Sequence, residues 1–284
     1  RFSRGLILNG LEELQHAMLS AGFYPEKKYS QNFLVDEKVV EKLVESAFLS
    51  PKDHVLEIGT GTGVVTQIIA QTGAKVVSVE LRPELCAYAE KKLVAFQNVS
   101  IIEGDILHSN LEKISFTKVV ASPPYAISDD IMYLLFSHGF SCASLIWQFE
   151  FADKILAPPG SGEYHPLSVI AQYMYNGNIV QKISPKSFYP VPNHFSAILV
   201  LARKPRITPI PHFSLFVSWL RTLFRFRNKT MGNASKQLEK NSIKGVSAAH
   251  FQKVVRRMHL EDEKVFLVEP QTFVKLFRET MKTE

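Results

Sequence analysis

Short apolar runs alternate with helix-length stretches through the first half of the chain, and this alternation constrains the fold more than any other feature. Strand-like runs at 55–58, 76–79, 99–102, 119–121 and 142–147 are separated by helical segments near 64–71, 83–95 and 129–137. Spacing of this kind predicts parallel strands joined by helical crossovers, a doubly wound α/β sheet. A helix at 167–175 and strands at 179–183 and 197–201 are expected to follow, bringing the strands to seven. Upstream, 11–19 is amphipathic, and Asp36 caps a helix running to about Phe48 with Val39, Val40, Leu43 and Val44 on its apolar face. Pro158-Pro159-Gly160-Ser161-Gly162 reads as a loop, and Lys204-Pro205-Arg206 with Pro209 and Pro211 as a linker. Beyond it, 213–226, 234–240, 248–258 and 270–281 read as helices. The expected division is a basic and helical N-terminal arm over 1–30, an α/β domain over 31–204, and a small all-helical C-terminal domain over 205–284.

Composition narrows the function classes. The longest apolar runs are far shorter than a bilayer span, so no transmembrane helix is expected. The numbering opens at Arg1 rather than Met, which leaves an upstream segment, and any targeting signal in it, open. Two cysteines, Cys86 and Cys142, make neither a disulfide framework nor a four-ligand zinc site, so a reducing compartment and no metal are expected. A net charge of +6 suits a polyanionic partner.

The first strand runs into Glu57-Ile58-Gly59-Thr60-Gly61-Thr62-Gly63, which opens a helix. Glycines let such a loop turn sharply and approach a ligand closely, and a loop of this type on its own equally suits a dinucleotide's pyrophosphate. The next two strand ends add acceptors. Glu80 ends the second strand, where a carboxylate accepts from both hydroxyls of a ribose, and Gly104-Asp105 ends the third, where Asp105 accepts from an adenine amino group. The fourth strand runs into Ser122-Pro123-Pro124-Tyr125, followed by Ser128, Asp129 and Asp130, which read as side-chain caps of a helix. Two adjacent prolines make this a rigid turn at a strand's carboxyl end, where open α/β sheets bind ligands.

Together the loop and strand ends resemble class I S-adenosylmethionine-dependent methyltransferases, with their Rossmann-like sheet. Further motifs narrow the resemblance to the rRNA adenine dimethyltransferases of the small ribosomal subunit. Lys28-Tyr29-Ser30-Gln31-Asn32-Phe33-Leu34-Val35-Asp36 is similar to that family's Gly-Gln-Asn/His-Phe-Leu element, with Ser30 for the glycine. The segment 157–168 is similar to its Pro-Gly…Tyr-Gly-Arg-Leu-Ser stretch, with His165-Pro166 for Gly-Arg. Phe188-Tyr189-Pro190-Val191-Pro192 followed by Ser196 resembles Phe-x-Pro-x-Pro-x-Val-x-Ser, with His194 for the valine, and Phe224 to Thr230 resembles the basic signature of the helical domain. The match spans about 27–235.

The resemblance implies an rRNA base N-methyltransferase with S-adenosylmethionine held by Gln31, Asn32, Leu34, Gly59, Gly61, Glu80, Asp105 and Ser122. It also implies that Phe188 stacks on a flipped base, and that the helical domain grips small-subunit rRNA or a pre-ribosomal particle. The Ser122 oxygen and the Pro123 carbonyl would accept the N–H groups of an exocyclic amine, Pro124 would stiffen the turn, and Tyr125 would stack on the base. Phosphate contacts are expected from Lys28, Arg225, Arg227 and Lys229, with Lys27, Arg221, Lys236, Arg256 and Arg257 as further cations. A cytoplasmic monomer is the expectation.

One departure concerns the substrate. The family has Asn-Leu-Pro-Tyr where this chain has Ser122-Pro123-Pro124-Tyr125, a form similar to that of cytosine-N4 methyltransferases. The Ser-Pro-Pro-Tyr form therefore tips the expectation slightly from adenosine N6 to cytidine N4. A non-catalytic rRNA-binding assembly factor stands as the alternative from another class. The intact loop with Glu80 and Asp105 argues against it.

Overall fold

A computed structural model describes residues 10–26, 32–240 and 245–282. It divides into two compact units. The first runs to Ala152 and resumes over Gly177–Arg203, and the second holds Asp153–Asn176 and the chain from Lys204 onward. The change of unit at 203–204 falls at the proline-rich linker. The excursion of 153–176 into the helical unit has no marker in the sequence.

In chain order the first unit begins with α1 (Gly10–Ala21), β1 (Phe33–Leu34), α2 (Glu37–Glu45), β2 (His54–Ile58), α3 (Val64–Gln71), β3 (Lys75–Glu80) and α4 (Pro83–Lys92). There follow β4 (Val99–Glu103), β5 (Lys118–Ala121), α5 (Ser128–His138) and β6 (Cys142–Gln148). Next come α6 (Phe149–Leu156), in which the chain passes to the second unit, α7 (Pro166–Met174) within that unit, and then β7 (Tyr175–Ile183), β8 (Phe188–Tyr189) and β9 (Ser196–Arg203). Seven strands form one sheet in the order β4-β3-β2-β5-β6-β9-β7. The pairs β4/β3, β3/β2, β2/β5 and β5/β6 are parallel, while β9 runs antiparallel to β6. Strand order reverses between β2 and β5, which is where a doubly wound sheet opens a crevice at its carboxyl edge.

Burial explains the pattern of residues. Val55, Leu56, Val119 and Val120 are each no more than 1% exposed, so consecutive residues of the central strands are buried on both faces rather than alternating. The side chain of Asp36 caps α2 through Lys38 N–H, and Val39, Val40, Leu43 and Val44 fill the core beneath it. Each such side chain contributes about 1.5–3 kcal/mol relative to exposure. The helix ends at Glu45, one turn before the Phe48 expected from its pattern.

Two elements have no counterpart in the sequence reading. Helix α6 starts at Phe149 directly from the end of β6, with no Gly, Pro, Ser or Asp between them, so its first residues look like more strand. The two-residue strands β1 and β8 pair in a separate sheet, with Phe33 opposite Tyr189 and Leu34 opposite Phe188. Val35 N–H donates to Ser187 O at 2.9 Å and Ser187 Oγ to Asp36 Oδ2 at 2.9 Å, which closes this pairing from the helix side.

The second unit adds α8 (Phe213–Phe224), α9 (Met231–Lys240), α10 (Ala248–Arg257) and α11 (Pro270–Met281). Its core is built on Trp219, fully buried, with the rings of Phe216, Phe251, Phe273 and Phe277 at 5.3–6.3 Å centroid separation. Tyr164 packs edge-on to Phe224 and donates its hydroxyl to Val268 O at 3.0 Å.

Candidate active site

The carboxyl ends of β2, β3, β4 and β5 border a cavity of about 290 Å³. Its first wall is the loop after β2. Gly59, Gly61 and Gly63 have φ of 83°, 55° and 77°, a left-handed backbone that side chains rarely adopt. At Gly63 a Cβ would also come within 3.2 Å of Leu93 Cδ1, so the helix following the loop needs glycine there on two counts.

Glu80 ties this loop to the next strand end. Its Oε2 accepts from Gly61 N–H at 2.9 Å and its Oε1 from Arg82 N–H at 3.0 Å. The residue is 5% exposed, and burial raises its pKa against the opposing pull of those backbone donors. Each carboxylate oxygen keeps a lone pair beyond its backbone bond, and the residue lines the cavity.

Glu57 lies beneath the loop, fully buried. Thr66 Oγ1 donates to its Oε2 at 2.6 Å, while Oε1 has no partner, and Thr60 and Ser78 hydroxyls pair beside it at 2.6 Å. Burial pushes its carboxyl from 4.5 up to about 8. A carboxyl that holds its proton more tightly folded than unfolded stabilises the fold fully below the unfolded value and loses that contribution as pH rises through the folded one. The window here runs from 4.5 to about 8. Glu57→Gln keeps a neutral group of the same shape. The melting temperature of the parent chain is therefore expected to fall relative to Glu57→Gln between about pH 5 and about pH 9. Parallel melting curves across that range would count against a protonated Glu57.

Asp105 lines the cavity after β4. Its Oδ1 accepts from Leu107 N–H at 2.9 Å and its Oδ2 meets His108 Nδ1 at 2.9 Å. The Leu107 N–H is the main cause holding its carboxyl below the ordinary value. Asn32 and Leu34 reach the same cavity from the segment around β1, and Phe33 packs close to Gly61.

The turn Ser122-Pro123-Pro124-Tyr125 also lines the cavity. Pro123 is buried, while Ser122, Pro124 and Tyr125 are half-buried. The Tyr125 hydroxyl and Ser196 Oγ hydrogen bond at 2.7 Å, tying the turn to the start of β9. Burial pushes the Tyr125 phenol up to about 12, so it stays neutral. Ile127, rather than an expected Ser or Asp, occupies the cap position of α5 and makes no side-chain bond there, and Ser128 Oγ donates back to Tyr125 O at 2.7 Å. That bond draws the hydroxyl into the turn and away from the helix N–H groups. Asp129 and Asp130 lie in the first turn, where they complement the helix dipole.

Other expected residues fall elsewhere. Phe188 is 1% exposed and packs in the core with Val39, Leu43 and Ile198, so its ring offers no face to a base in this structure. Gln31 and Lys28, with Lys27, lie outside the described residues. In the helical unit Arg225 and Lys229 are exposed. Arg227 is half-buried, donates Nη2–H to Ser161 O at 3.0 Å and lies over the Phe266 ring. It thereby holds the 158–161 loop as well as presenting charge. Trp147 is fully buried against Phe151, a packing role.

Arg82 was missed by the sequence reading. It is 5% exposed, and besides its backbone bond to Glu80 it grips Glu84, donates to Tyr24 O at 3.0 Å and lies 5.5 Å over the Phe23 ring. Lys92 does the same from α4, bonding Glu13 of α1 and Thr62 O in the glycine loop. A basic residue two positions after the acidic strand end, just before Pro83 at a helix start, was the available signal.

A family model described as ribosomal RNA adenine dimethylase matches residues 23–269. The "Probable ribosomal RNA small subunit methyltransferase A" of Methanococcus aeolicus is 39% identical over 209 residues, covering 73% of this chain and 77% of that protein. The protein of the same name from Thermococcus onnurineus is 34% identical over 263 residues, covering 92% and 94%. Among solved structures, a dimethyladenosine transferase from Plasmodium falciparum aligns with a TM-score of 0.75 at 24% identity, over 86% of this chain and 95% of that one. The 23S rRNA methyltransferase ErmE aligns with a TM-score of 0.63 at 24% identity, over 88% and 100%. These two likenesses bear on the fold.

Proposed function

The chain belongs to the ribosomal RNA adenine dimethylase family, and from that premise we propose that it methylates the exocyclic amine of a base in small-subunit rRNA, free or within a pre-ribosomal particle. The family is one of S-adenosylmethionine-dependent rRNA methyltransferases. The observation that carries the reading is a single cavity lined both by the Glu80-tied glycine loop and by Ser122–Tyr125. It would hold both a cofactor and a base.

The residues fit the cofactor. Glu80 is buried with acceptor capacity to spare for a ribose, and the space before Gly59 is open, since a Cβ there meets nothing within 4 Å. Asp105 would accept from the adenine amine, and Asn32, Leu34, Gly61 and Ser122 complete the lining. When bound, S-adenosylmethionine supplies an electrophilic methyl group on a sulfonium.

An exocyclic amine is a poor nucleophile because its lone pair is delocalised into the ring. Ser122 Oγ and the Pro123 carbonyl accept its N–H hydrogens and turn that lone pair out of the ring plane. Tyr125 holds the base by stacking, and its hydroxyl bond to Ser196 fixes the ring. Positioning supplies most of the acceleration. Exposed Arg225 and Lys229 in the helical unit pair with phosphates. The chain acts as a monomer in a reducing compartment, the cytoplasm, which its two free thiols suit.

The family match favours adenosine N6 as the acceptor, against the slight preference that the Ser-Pro-Pro-Tyr form suggested. Cytidine N4 is the second reading, kept because Ser122 and Pro123 together depart from the family's Asn-Leu. The test is transfer of labelled methyl from S-adenosylmethionine to immature small-subunit particles, followed by nucleoside mass spectrometry. N6-methylated adenosine is the expected product. Methylated cytidine with unmodified adenosine would establish the second reading, and cofactor binding without transfer to any rRNA or particle would leave the assembly-factor role.

A further inference from the structure

Beside the cavity, on the first unit, lies a surface that neither the cofactor nor the target base accounts for. Lys182 Nζ sits between two rings, 4.3 Å from the centroid of Phe149 and 4.5 Å from that of Phe195. Among the described residues it has no carboxylate partner, so its charge is held by the ring faces and remains available. Phe149 N–H donates to Phe195 O at 2.9 Å, which fixes the two backbones that carry the rings. Phe195 is 47% exposed and Tyr189 39% exposed. Lys182 is itself exposed, so an ammonium and the exposed Phe195 ring lie together at the surface. A flat aromatic face beside a cation matches a nucleobase and its phosphate.

The platform is continuous with the proposed active site. Phe195 immediately precedes Ser196, whose hydroxyl binds Tyr125, and Gln148, just before Phe149, pairs with Ser196 across β6 and β9. Tyr189 pairs with Phe33, which lines the cavity. Phe149 and Phe195 thus lie just beyond the same end of β6 and β9 that carries the Tyr125–Ser196 bond, the edge that a nucleotide flanking one held at Tyr125 would meet. A duplex cannot present an unstacked neighbouring base there.

We propose that Phe195 stacks the base adjoining the methylated nucleotide and that Lys182, clamped between Phe149 and Phe195, pairs with its phosphate, so that this site selects a single-stranded flank. The proposal rests on the methyltransferase reading for its substrate, but it concerns binding and can be tested apart from catalysis. The probe is a fluorescein-labelled 12-nucleotide RNA of mixed sequence, used single-stranded or annealed to its complement. Phe195→Ala is expected to weaken single-strand binding about 5–10-fold and to change duplex binding less than about two-fold. Phe195→Tyr restores a stacking face and should recover single-strand binding. Lys182→Ala should lower the slope of log affinity against log salt by about 0.7. Calorimetric titration with S-adenosylmethionine serves as the folding control and should be unchanged in all three variants.

Equal weakening of both RNAs by Phe195→Ala, no weakening of either, or no single-strand binding by the parent chain would overturn the proposal. Methyl transfer separates it from the functional reading. If the parent chain methylates small-subunit particles and Phe195→Ala binds like the parent, the platform fails alone. If no particle is methylated while the single-strand selectivity follows Phe195, the functional reading fails and the platform stands.

Discussion

Glu80→Ala is expected to reduce affinity for S-adenosylmethionine by about 100-fold or more and to abolish detectable methyl transfer. Two effects combine. The carboxylate accepts the Gly61 and Arg82 N–H groups at 2.9 and 3.0 Å inside a site where it is 5% exposed. Hydrogen bonds to charged groups contribute about 1.5–3 kcal/mol each, so removing this anchor from two donors costs about 3–6 kcal/mol. Part of that cost falls on the loop geometry, since Gly61 N–H is the tie between the glycine turn and β3. The rest falls on the ribose, which loses its acceptor. Glu80→Gln separates the two, because an amide keeps the size but turns a donor toward one of the backbone N–H groups. It should fall between the parent and Glu80→Ala in titration calorimetry. Parent-like affinity in Glu80→Ala would remove Glu80 from the cofactor site and with it the reading of the cavity.

The parts of this site legible in the sequence are those where the backbone itself dictates residue type. Buried parallel strands are apolar through most of their length, so β2, Glu57 apart, and β5 stand out in the sequence. A loop that visits left-handed φ three times must carry Gly59, Gly61 and Gly63. Acceptors at successive carboxyl strand ends then follow from sheet topology, and Glu80, Asp105 and Ser122 do converge on one cavity.

What stayed hidden depends on side-chain direction and on distant partners. Phe188 and Tyr189 form a two-residue strand, and successive side chains in a strand point to opposite faces. Pairing with Leu34 and Phe33 turns Phe188 into the core and Tyr189 outward, and a motif match reports position without direction. Arg82 is invisible for a related reason. Its partners Phe23 and Tyr24 lie 58 or more residues upstream, and its place between Glu80 and Pro83, the one local signal, does not tell a buried anchor from a solvated cation. Helix α6 escaped because its apolar residues continue those of β6 without a break.

The sharpest discrimination between a methyl-acceptor clamp and a merely stiff turn lies at Tyr125. Tyr125→Ala removes the ring proposed to stack on the target base while leaving Ser122, Pro123 and the cofactor wall in place. Base–aromatic stacking is worth about 1–3 kcal/mol, and a base displaced by about 1 Å from in-line geometry loses a further factor of about 10². Single-turnover methyl transfer should therefore slow by about 100-fold or more, with the dissociation constant for S-adenosylmethionine held within about two-fold. Tyr125→Phe keeps the ring and loses only the 2.7 Å bond to Ser196, leaving a buried hydroxyl short of that partner. That costs about 1–3 kcal/mol of stability, but the transfer rate should stay within about five-fold, because stacking is retained. The opposite ranking, with Tyr125→Phe as slow as Tyr125→Ala, would mean that the hydroxyl does the work, and the turn would then act through Ser196 and the edge of β9. Parent-like rates in Tyr125→Ala would strip the turn of any part in base positioning. The acceptors at 122 and 123 would then have to hold the amine without a stacked base above them, which two oxygens on a rigid turn cannot do against a freely rotating nucleotide.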